Sequence, residues 1–154
     1  MPNTYTQLYI QLVFAVKHRE ALISEPIRDH VQKYLTGITQ KNGHKMLSVF
    51  CMPDHTHVFV GLNPNQSISD LVNDLKTYSS GWINKEKLSL HHFNWQNGYG
   101  AFSYHKKLIP IIGKYIDNQK IHHQNESFKT EYLNLLHEFD VEYQDQYLFE
   151  FFDT

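Results

Sequence analysis

The sequence predicts an α+β domain, a ferredoxin-like split βαβ sandwich whose four-stranded antiparallel sheet carries helices on one face. Two observations predict this class. Short runs rich in branched and aromatic residues alternate with longer runs whose apolar residues recur at helical spacing, in the order β-α-β-β-α-β-α. The length of 154 residues and the composition, 41% hydrophobic and 19% charged, are typical of one compact globular domain.

The first half of the chain supplies three strands and one helix. The helix has Ser24 as its N-cap and Pro26 in its first turn, and Gly43 follows its end. Pro53 and Asp54 provide a tight connection between two antiparallel strands. The predicted ranges are a strand over residues 5–16, a helix over 24–42, and strands over 45–52 and 55–62.

The second half supplies the remaining strand and helices. Asp70 lies in the first turn of a helix, as the helix dipole favours, and Asn97-Gly98 form a turn that leads into a strand. The predicted ranges are a helix over 67–82, a strand over 91–104, a helix over 106–123 and a short helix over 127–137. Since two helices cross one sheet face in this order, the other face is expected to stay free for a ligand.

Charge divides the chain into two parts. The formal net charge is -2, but residues 1–124 hold 13 Lys and Arg against 8 Asp and Glu, whereas residues 125–154 hold one Lys against 8 acids. We therefore interpret residues 1–124 as the functional domain and residues 125–154 as an acidic C-terminal extension of it. The basic body is compatible with nucleic acid, and the acidic extension is equally compatible with a solvated surface.

Several classes of protein are excluded by the composition. The N-terminus lacks the features of a signal peptide, and no apolar run approaches the roughly 20 residues needed to span a bilayer. A cytoplasmic protein is expected. Cys51 is the only cysteine, so no intramolecular disulfide is possible, and we expect it in a buried strand. No glycine-rich phosphate loop is present, so no nucleotide cofactor is expected.

A pair of histidines is the strongest local signal. His55 and His57 lie on one face of a predicted strand, because side chains alternate between faces, while Thr56, Val58 and Val60 face the helices. Two imidazoles at this spacing are able to share one metal ion. The alternative is a pair of surface histidines in a chain that has 11.

Tyr115 and Gln119 form a second signal on the last long predicted helix. Their i, i+4 spacing places the phenol and the amide on one helix face. The amide oxygen is then able to complete a metal site at which the hydroxyl points. Alone, the pair is equally typical of a core tyrosine with a solvated neighbour.

Together these motifs resemble the HUH superfamily, in particular the small single-tyrosine transposases of bacterial insertion sequences and their REP-associated relatives. The resemblance covers about residues 4–124. It rests on MPDHTHVFV, NDLKTYSSGWINK, FNWQNGYGAFSY and GKYIDNQ. One departure is Thr56, where the family has a hydrophobic residue, although a β-branched residue still suits a strand.

The resemblance implies a metal-dependent DNA transposase that cuts and rejoins single-stranded DNA through a covalent 5′-phosphotyrosine. His55, His57 and Gln119 correspond to the metal-binding side chains, and Tyr115 corresponds to the nucleophile. Asp54 matches the acid that commonly precedes the histidines. The implied cofactor is Mg²⁺ or Mn²⁺, and the implied partners are a DNA hairpin at transposon ends and a second copy of the chain, as a homodimer whose active sites are built in cis or in trans.

Contacts to DNA are less specific in the sequence. Candidate phosphate-binding lysines are Lys76, Lys106, Lys107 and Lys114, with Lys85, Lys87 and Lys120 as further surface lysines. The aromatic residues that precede or lie in the last strand are candidates for base stacking, although we expect at least half of them in the core; they are Phe93, Trp95, Tyr99 and Tyr104. The remaining histidine pairs, His91-His92 and His122-His123, are expected to be polar surface.

Three other functions remain open. A catalytically silent module that binds single-stranded DNA or an RNA hairpin would use the same sheet, but the signature strand of common RNA-binding domains is missing. A small metal-dependent hydrolase on a β-barrel would need more strands and fewer helices. A replication initiator or relaxase of the same superfamily usually has more domains and further tyrosines beside the nucleophile.

Overall fold

The computed structural model describes residues 3–152. Its strands are β1 (Tyr9–Ala15), β2 (Lys45–Cys51), β3 (His55–Gly61) and β4 (Gly100–Tyr104). Its α-helices are α1 (Glu25–Lys41), α2 (Ile68–Lys85), α3 (Ile109–Asp117), α4 (Gln119–His122) and α5 (Phe128–Glu138). Single 3-10 turns cover Arg19–Ala21, Lys106–Leu108 and Asp145–Tyr147.

The four strands form one antiparallel sheet in the order β2-β3-β1-β4. This order, with α1 and α2 as the crossing helices, confirms the predicted α+β fold with a four-stranded antiparallel sheet. β1 begins at Tyr9 instead of residue 5, because Tyr9 is already paired with both Gly61 and Tyr104 at the ends of the neighbouring strands. The last strand is also shorter than predicted, and Trp95 joins the sheet only through a bridge to Val16.

One face of the sheet packs against α1 and α2. Leu12 and Val58 project from the sheet into a core that includes Leu35 of α1 and Leu75 of α2, all fully buried. α2 begins after Ser67, whose Oγ accepts a hydrogen bond from the Asp70 amide at 3.1 Å. This face follows the apolar pattern of the sequence.

The expectation that the other face is free is wrong, because the C-terminal extension covers it. α5 has an apolar stripe that must be buried, and the sheet offers the matching surface. A second core results, made of Val13, Ala15, Phe102, Phe128, Tyr132, Leu135, Leu136 and Phe149. Gly100 shows how close the two layers are, since a Cβ there would lie 2.8 Å from the Tyr132 hydroxyl oxygen.

The prediction of a single helix over residues 106–123 is wrong. This segment consists of a 3-10 turn, α3 and α4, and the break lies at Asn118, which has φ -100° and ψ 20°. Asparagine has low helix propensity and readily ends a helix, which explains the position of the break. The predicted short helix near residue 127 is confirmed as α5. Within residues 3–152, no helix is both long and apolar enough to cross a membrane.

Candidate active site

Two fully buried histidines of β3 form the base of the site. His55 and His57 project from the same face of β3, and their ring centroids lie 5.1 Å apart. Thr56 and Val58 project from the opposite face, and Val58 joins the core under α1 and α2. The alternation predicted from the sequence is therefore confirmed, and the alternative of two surface histidines is wrong.

Each histidine is oriented by a neighbouring oxygen. His55 Nδ1 donates to the Asp54 carboxylate at 2.7 Å, and His57 Nδ1 donates to Gln11 Oε1, also at 2.7 Å. Gln11 is itself fixed, because its amide nitrogen donates to the Tyr104 hydroxyl at 2.8 Å. With both Nδ1 atoms used as donors, the Nε2 atoms of the two rings face the same space, as is usual for metal-binding histidines.

Glu131 of α5 occupies the centre of this space. Its Oε1 lies 3.4 Å from His55 Nε2, 3.1 Å from His57 Nε2 and 3.2 Å from His123 Nε2. The residue is only 2% exposed. Phe128, one turn earlier on α5, stacks on the His55 ring with a centroid distance of 3.8 Å and an interplanar angle of 3°. The extension therefore contributes both a carboxylate and an aromatic wall to the site.

Tyr115 and Gln119 meet at the other oxygen of the same carboxylate. The Tyr115 hydroxyl donates to Glu131 Oε2, and the Gln119 amide nitrogen donates to the same atom at 2.9 Å. Gln119 Oε1 accepts a hydrogen bond from His123 Nε2 at 3.0 Å. The two residues thus converge, as the i, i+4 spacing predicts, even though they belong to separate helices.

The charges of the site are strongly coupled. Burial lowers the pKa of His55, but its hydrogen bond to Asp54 and the nearby Glu131 carboxylate outweigh that cost and raise it to about 9. Burial lowers the pKa of His57 and favours its neutral form. Burial opposes ionisation of Glu131 as well, yet the surrounding imidazoles hold the pKa of this carboxyl well below its usual range. Burial and then the Glu131 charge raise the pKa of the Tyr115 hydroxyl, so the phenol stays protonated.

The donor atoms fit a divalent cation. His55, His57 and Glu131 offer ligand atoms that all lie within 4.8 Å of one another. His55 Nε2 is buried and makes no hydrogen bond of normal geometry within residues 3–152, with Glu131 Oε1 at 3.4 Å, so a bound cation would take the place of its proton. Ligands that share a cation at about 2.0–2.2 Å lie roughly 3 Å apart, close to the 3.1 and 3.4 Å between Glu131 Oε1 and the two Nε2 atoms. A mixed nitrogen and oxygen set of this kind accepts several divalent metals.

Comparison with known proteins assigns the chain to a family. Residues 4–119 match the family described as "Transposase IS200 like". The chain is a DNA transposase of the IS200-like family. A curated relative, the ISDra2 transposase TnpA of Deinococcus radiodurans, is 29% identical over 119 residues, which span 73% of this chain and 84% of the relative. The resemblance to single-tyrosine transposases is therefore confirmed.

Two solved structures share the fold of this transposase. A Deinococcus radiodurans chain described as a transposase has a TM-score of 0.59 and 24% identity, over 76% of this chain and 94% of that one. A REP-associated tyrosine transposase bound to a REP hairpin also has a TM-score of 0.59, with 12% identity over 79% of this chain and 72% of that one. At these identities the likeness concerns the fold.

Sequence reasoning missed three residues of the transposase site. Glu131 interrupts the apolar stripe of α5, and Gln11 interrupts the apolar run of β1, so a polar residue at a buried position was the available signal for both. The expectation that His123 is polar surface is wrong, since its side chain is 7% exposed and contacts Glu131. His91 and His92 are exposed, as expected.

The DNA-contact candidates differ in their surroundings. Phe93 and Trp95 are core residues and Tyr104 bonds to Gln11, whereas Tyr99 is 38% exposed. The Lys76 ammonium donates to two backbone carbonyls and is half-buried. The other three candidates are exposed around the start of α3 and along it; they are Lys106, Lys107 and Lys114.

Proposed function

We propose that this transposase cuts and rejoins single-stranded DNA through a covalent bond between Tyr115 and a 5′ phosphate. The observation that supports the proposal is the meeting of the Tyr115 hydroxyl and two metal-compatible histidines on the buried carboxylate of Glu131, all in one chain. A buried tyrosine in the core would need no such partners.

His55 and His57 would hold the cation, Mg²⁺ or Mn²⁺, which when bound supplies a Lewis acid for the scissile phosphate. Glu131 is the better placed third ligand, because Oε1 already lies beside both Nε2 atoms. Gln119, the third ligand predicted from the sequence, lies behind Glu131 and bonds to it. Because Gln119 and Glu131 bond to each other, both residues are substituted in the tests of metal binding.

The reaction exchanges one ester of phosphorus for another. The Tyr115 oxygen forms the new bond to phosphorus, the bond from phosphorus to the 3′ oxygen breaks, and the leaving oxygen ends as a 3′ hydroxyl after taking up a proton. Glu131 Oε2 accepts the hydrogen bond of the phenol and orients its oxygen, and the phenolic proton passes to solvent water as the bond to phosphorus forms. The reverse reaction, with a second DNA end, joins the strands without nucleotide hydrolysis.

Glu131 makes the nucleophile dependent on positive charge in the site. With no cation, the carboxylate raises the pKa of the Tyr115 hydroxyl and disfavours the phenolate. Positive charge shared between Glu131 and the histidines weakens that repulsion. Tyr115 would therefore be an effective nucleophile only in the loaded site.

The substrate we propose is a hairpin with a single-stranded flank, acted on in the cytoplasm. The REP-associated relative was solved with a REP hairpin, which supports this class of DNA. The proposed homodimer is not needed to complete the site, since Tyr115 and both histidines come from one chain; we therefore propose an active site in cis. The competing function is a catalytically silent module that binds single-stranded DNA or an RNA hairpin.

The direct test is a covalent adduct. Purified protein is incubated with labelled single-stranded DNA from the ends that flank its gene, with Mg²⁺ or Mn²⁺, and resolved on a denaturing gel. We expect a metal-dependent protein–DNA band that is absent with double-stranded DNA and with Tyr115→Phe, but present with Tyr78→Phe, an exposed tyrosine of α2.

If DNA binds but no adduct forms with any metal, the silent binding module is the better account. An adduct that persists in Tyr115→Phe would instead assign the nucleophile to another residue.

A further inference from the structure

A second polar cavity lies between α2 and the loop that precedes β4, away from the metal-compatible residues. It has a volume of about 420 Å³, in the range of small-ligand sites. We call it the amide pocket, since four carboxamides line it: Asn73, Asn94, Gln96 and Asn97. No acidic residue lines it.

Lys76 places a cation in the wall of the amide pocket. Its ammonium donates to the carbonyl oxygens of Gln96 at 2.9 Å and Gly98 at 2.6 Å. Within residues 3–152 no carboxylate lies within ion-pair distance of it. Burial lowers the pKa of Lys76 to about 8, although the two carbonyl oxygens solvate its ammonium in part. An anionic group such as a phosphodiester would supply the missing charge.

Two of the four carboxamides are free to bind a ligand, whereas the Gln96 amide bonds to the backbone of Val16 and Glu150, and Asn94 Oδ1 accepts from the Trp95 amide. The side chains of Asn73 and Asn97 are exposed and bond to no other described residue. A carboxamide carries a donor and an acceptor side by side, which matches the edge of a nucleobase. Tyr99 also lines the amide pocket and is 38% exposed, so its ring is available for stacking. One nucleotide has a part for each group: a phosphate for the Lys76 ammonium, a base edge for the free carboxamides and a base face for the Tyr99 ring.

The amide pocket lies at the same end of the sheet as the histidines. His55 pairs with Ala15 on the neighbouring strand, and the Ala15 carbonyl accepts a hydrogen bond from the Gln96 amide at 2.8 Å. Two strand spacings therefore separate His55 from Gln96, or about 10 Å between backbones. The cavity beside Tyr115 differs, because Glu126, Glu131 and Glu138 line it, so a phosphate would enter it only with the proposed cation bound.

We infer that the amide pocket binds one unpaired nucleotide of the single-stranded DNA substrate, with Lys76 at a phosphate and the carboxamides of Asn73 and Asn97 at the base edge. This inference rests on the proposed function for the class of substrate. It adds a site for base-specific recognition that is separate from the cleavage residues. The DNA strand would run from the histidines across the end of β1 into the amide pocket.

The test measures binding without cleavage. Tyr115→Phe protein is titrated against fluorescein-labelled single-stranded oligonucleotides from the flanking DNA, each with one abasic residue moved along the strand, and anisotropy gives the Kd. We expect Asn73→Ala with Asn97→Ala to weaken binding about tenfold for the intact oligonucleotide. At one abasic position the double variant and its parent should bind equally. Gln40→Ala, an exposed amide of α1, is the matched control and should change nothing.

Lys76→Gln should weaken binding to every oligonucleotide and reduce its salt dependence, because it removes a phosphate contact. Lys41→Gln, an exposed lysine of α1, is its control. Thermal melts confirm that each variant is folded, and both Asn73 and Asn97 are exposed enough for this to be expected.

The inference is overturned if the Asn73 and Asn97 variant binds the intact oligonucleotide as its parent does, or if its loss is equal at every abasic position. That result leaves the adduct assay, and so the proposed function, untouched. Conversely, a position-specific loss without any Tyr115 adduct would support the amide pocket in a protein that binds but does not cut.

Discussion

The two faces of the sheet are built on different principles. The face under α1 and α2 is mainly apolar, and its residues are held mainly by burial, with a few buried hydrogen bonds such as that from Trp95 Nε1 to Ser79 Oγ. The face under α5 combines an apolar border with a buried polar centre in which His55, His57 and Glu131 satisfy one another. The first face needs only the right pattern of residue sizes, whereas the second needs particular atoms at particular distances. Substitutions under α1 and α2 should therefore change the free energy of unfolding without changing cation binding. Substitutions under α5 should change both.

The largest expected effect comes from Phe128→Ala. Phe128 is 1% exposed and stacks on His55, so its truncation should cost about 3–5 kcal/mol of unfolding free energy and also weaken cation binding. Leu35→Ala, on the other face, should cost about 2–5 kcal/mol and leave cation affinity unchanged. Denaturant unfolding and Mn²⁺ titration measure the two quantities, and Phe128→Leu is the milder variant if Phe128→Ala does not fold. Equal cation affinity in both variants would remove the distinction between the faces.

Glu131→Gln should affect function more than folding. It keeps the shape of the side chain but removes the charge, so we expect Mn²⁺ affinity to fall about 10- to 100-fold. Glu138→Gln, an exposed residue of the same helix, is the matched control and should bind as the parent does. Calorimetry or electron paramagnetic resonance measures the affinity. If Gln119→Ala gives the larger loss, Gln119 is the third ligand and Glu131 only supports it.

The pH dependence of stability in EDTA should come largely from His55. Because its pKa is raised from 6.5 to about 9, this histidine stabilises the folded state fully below pH 6.5, and the contribution disappears as the pH rises through 9. The loss should be on the order of 3 kcal/mol. His55→Asn should flatten the curve in this window when unfolding is followed by circular dichroism. An unchanged slope in His55→Asn would assign the pH dependence to another group.

The smallest expected effects come from substitutions at two equivalent helix N-caps. Ser67 begins α2 and Ser127 begins α5, and each hydroxyl accepts a hydrogen bond at 3.1 Å from the amide three residues later. Replacing either by Ala should cost about 1 kcal/mol of unfolding free energy. Only Ser127→Ala should also reduce cation affinity, because α5 carries Glu131. A loss of affinity in Ser67→Ala would show that the two faces are coupled through the sheet.

The sequence predicts the apolar face and much of the polar one. Element order, both crossing helices and the shared face of His55 and His57 follow from periodicity, which is a local property of the chain. The cover over the second face does not, because α5 has no local feature that says which surface it packs on. Glu131 was missed for the same reason: a carboxylate in an amphipathic helix is usually solvated, and only tertiary packing brings it to the histidines.

At Asn118, by contrast, an incorrect prediction of secondary structure led to a correct prediction about the site. The apolar pattern predicts one helix that holds both Tyr115 and Gln119, and the helix is interrupted between them. Both side chains nevertheless reach the same carboxylate, and helical hydrogen bonds continue on either side of the break, from the Asn118 amide to the Lys114 carbonyl at 3.0 Å and from the His122 amide to the Asn118 carbonyl at 3.1 Å. The prediction that the Tyr115 and Gln119 side chains meet is therefore correct, although the single continuous helix on which it was based is not present.

The family match ends at residue 119, whereas the polar centre of the site extends to Glu131. A boundary drawn by sequence similarity therefore passes through the middle of a group of mutually bonded side chains. A chimera joined at that point would combine the histidines and the tyrosine of one parent protein with the residue that the other parent has in place of Glu131. A segment exchanged as a functional unit therefore has to include α5, because α5 packs on the histidines.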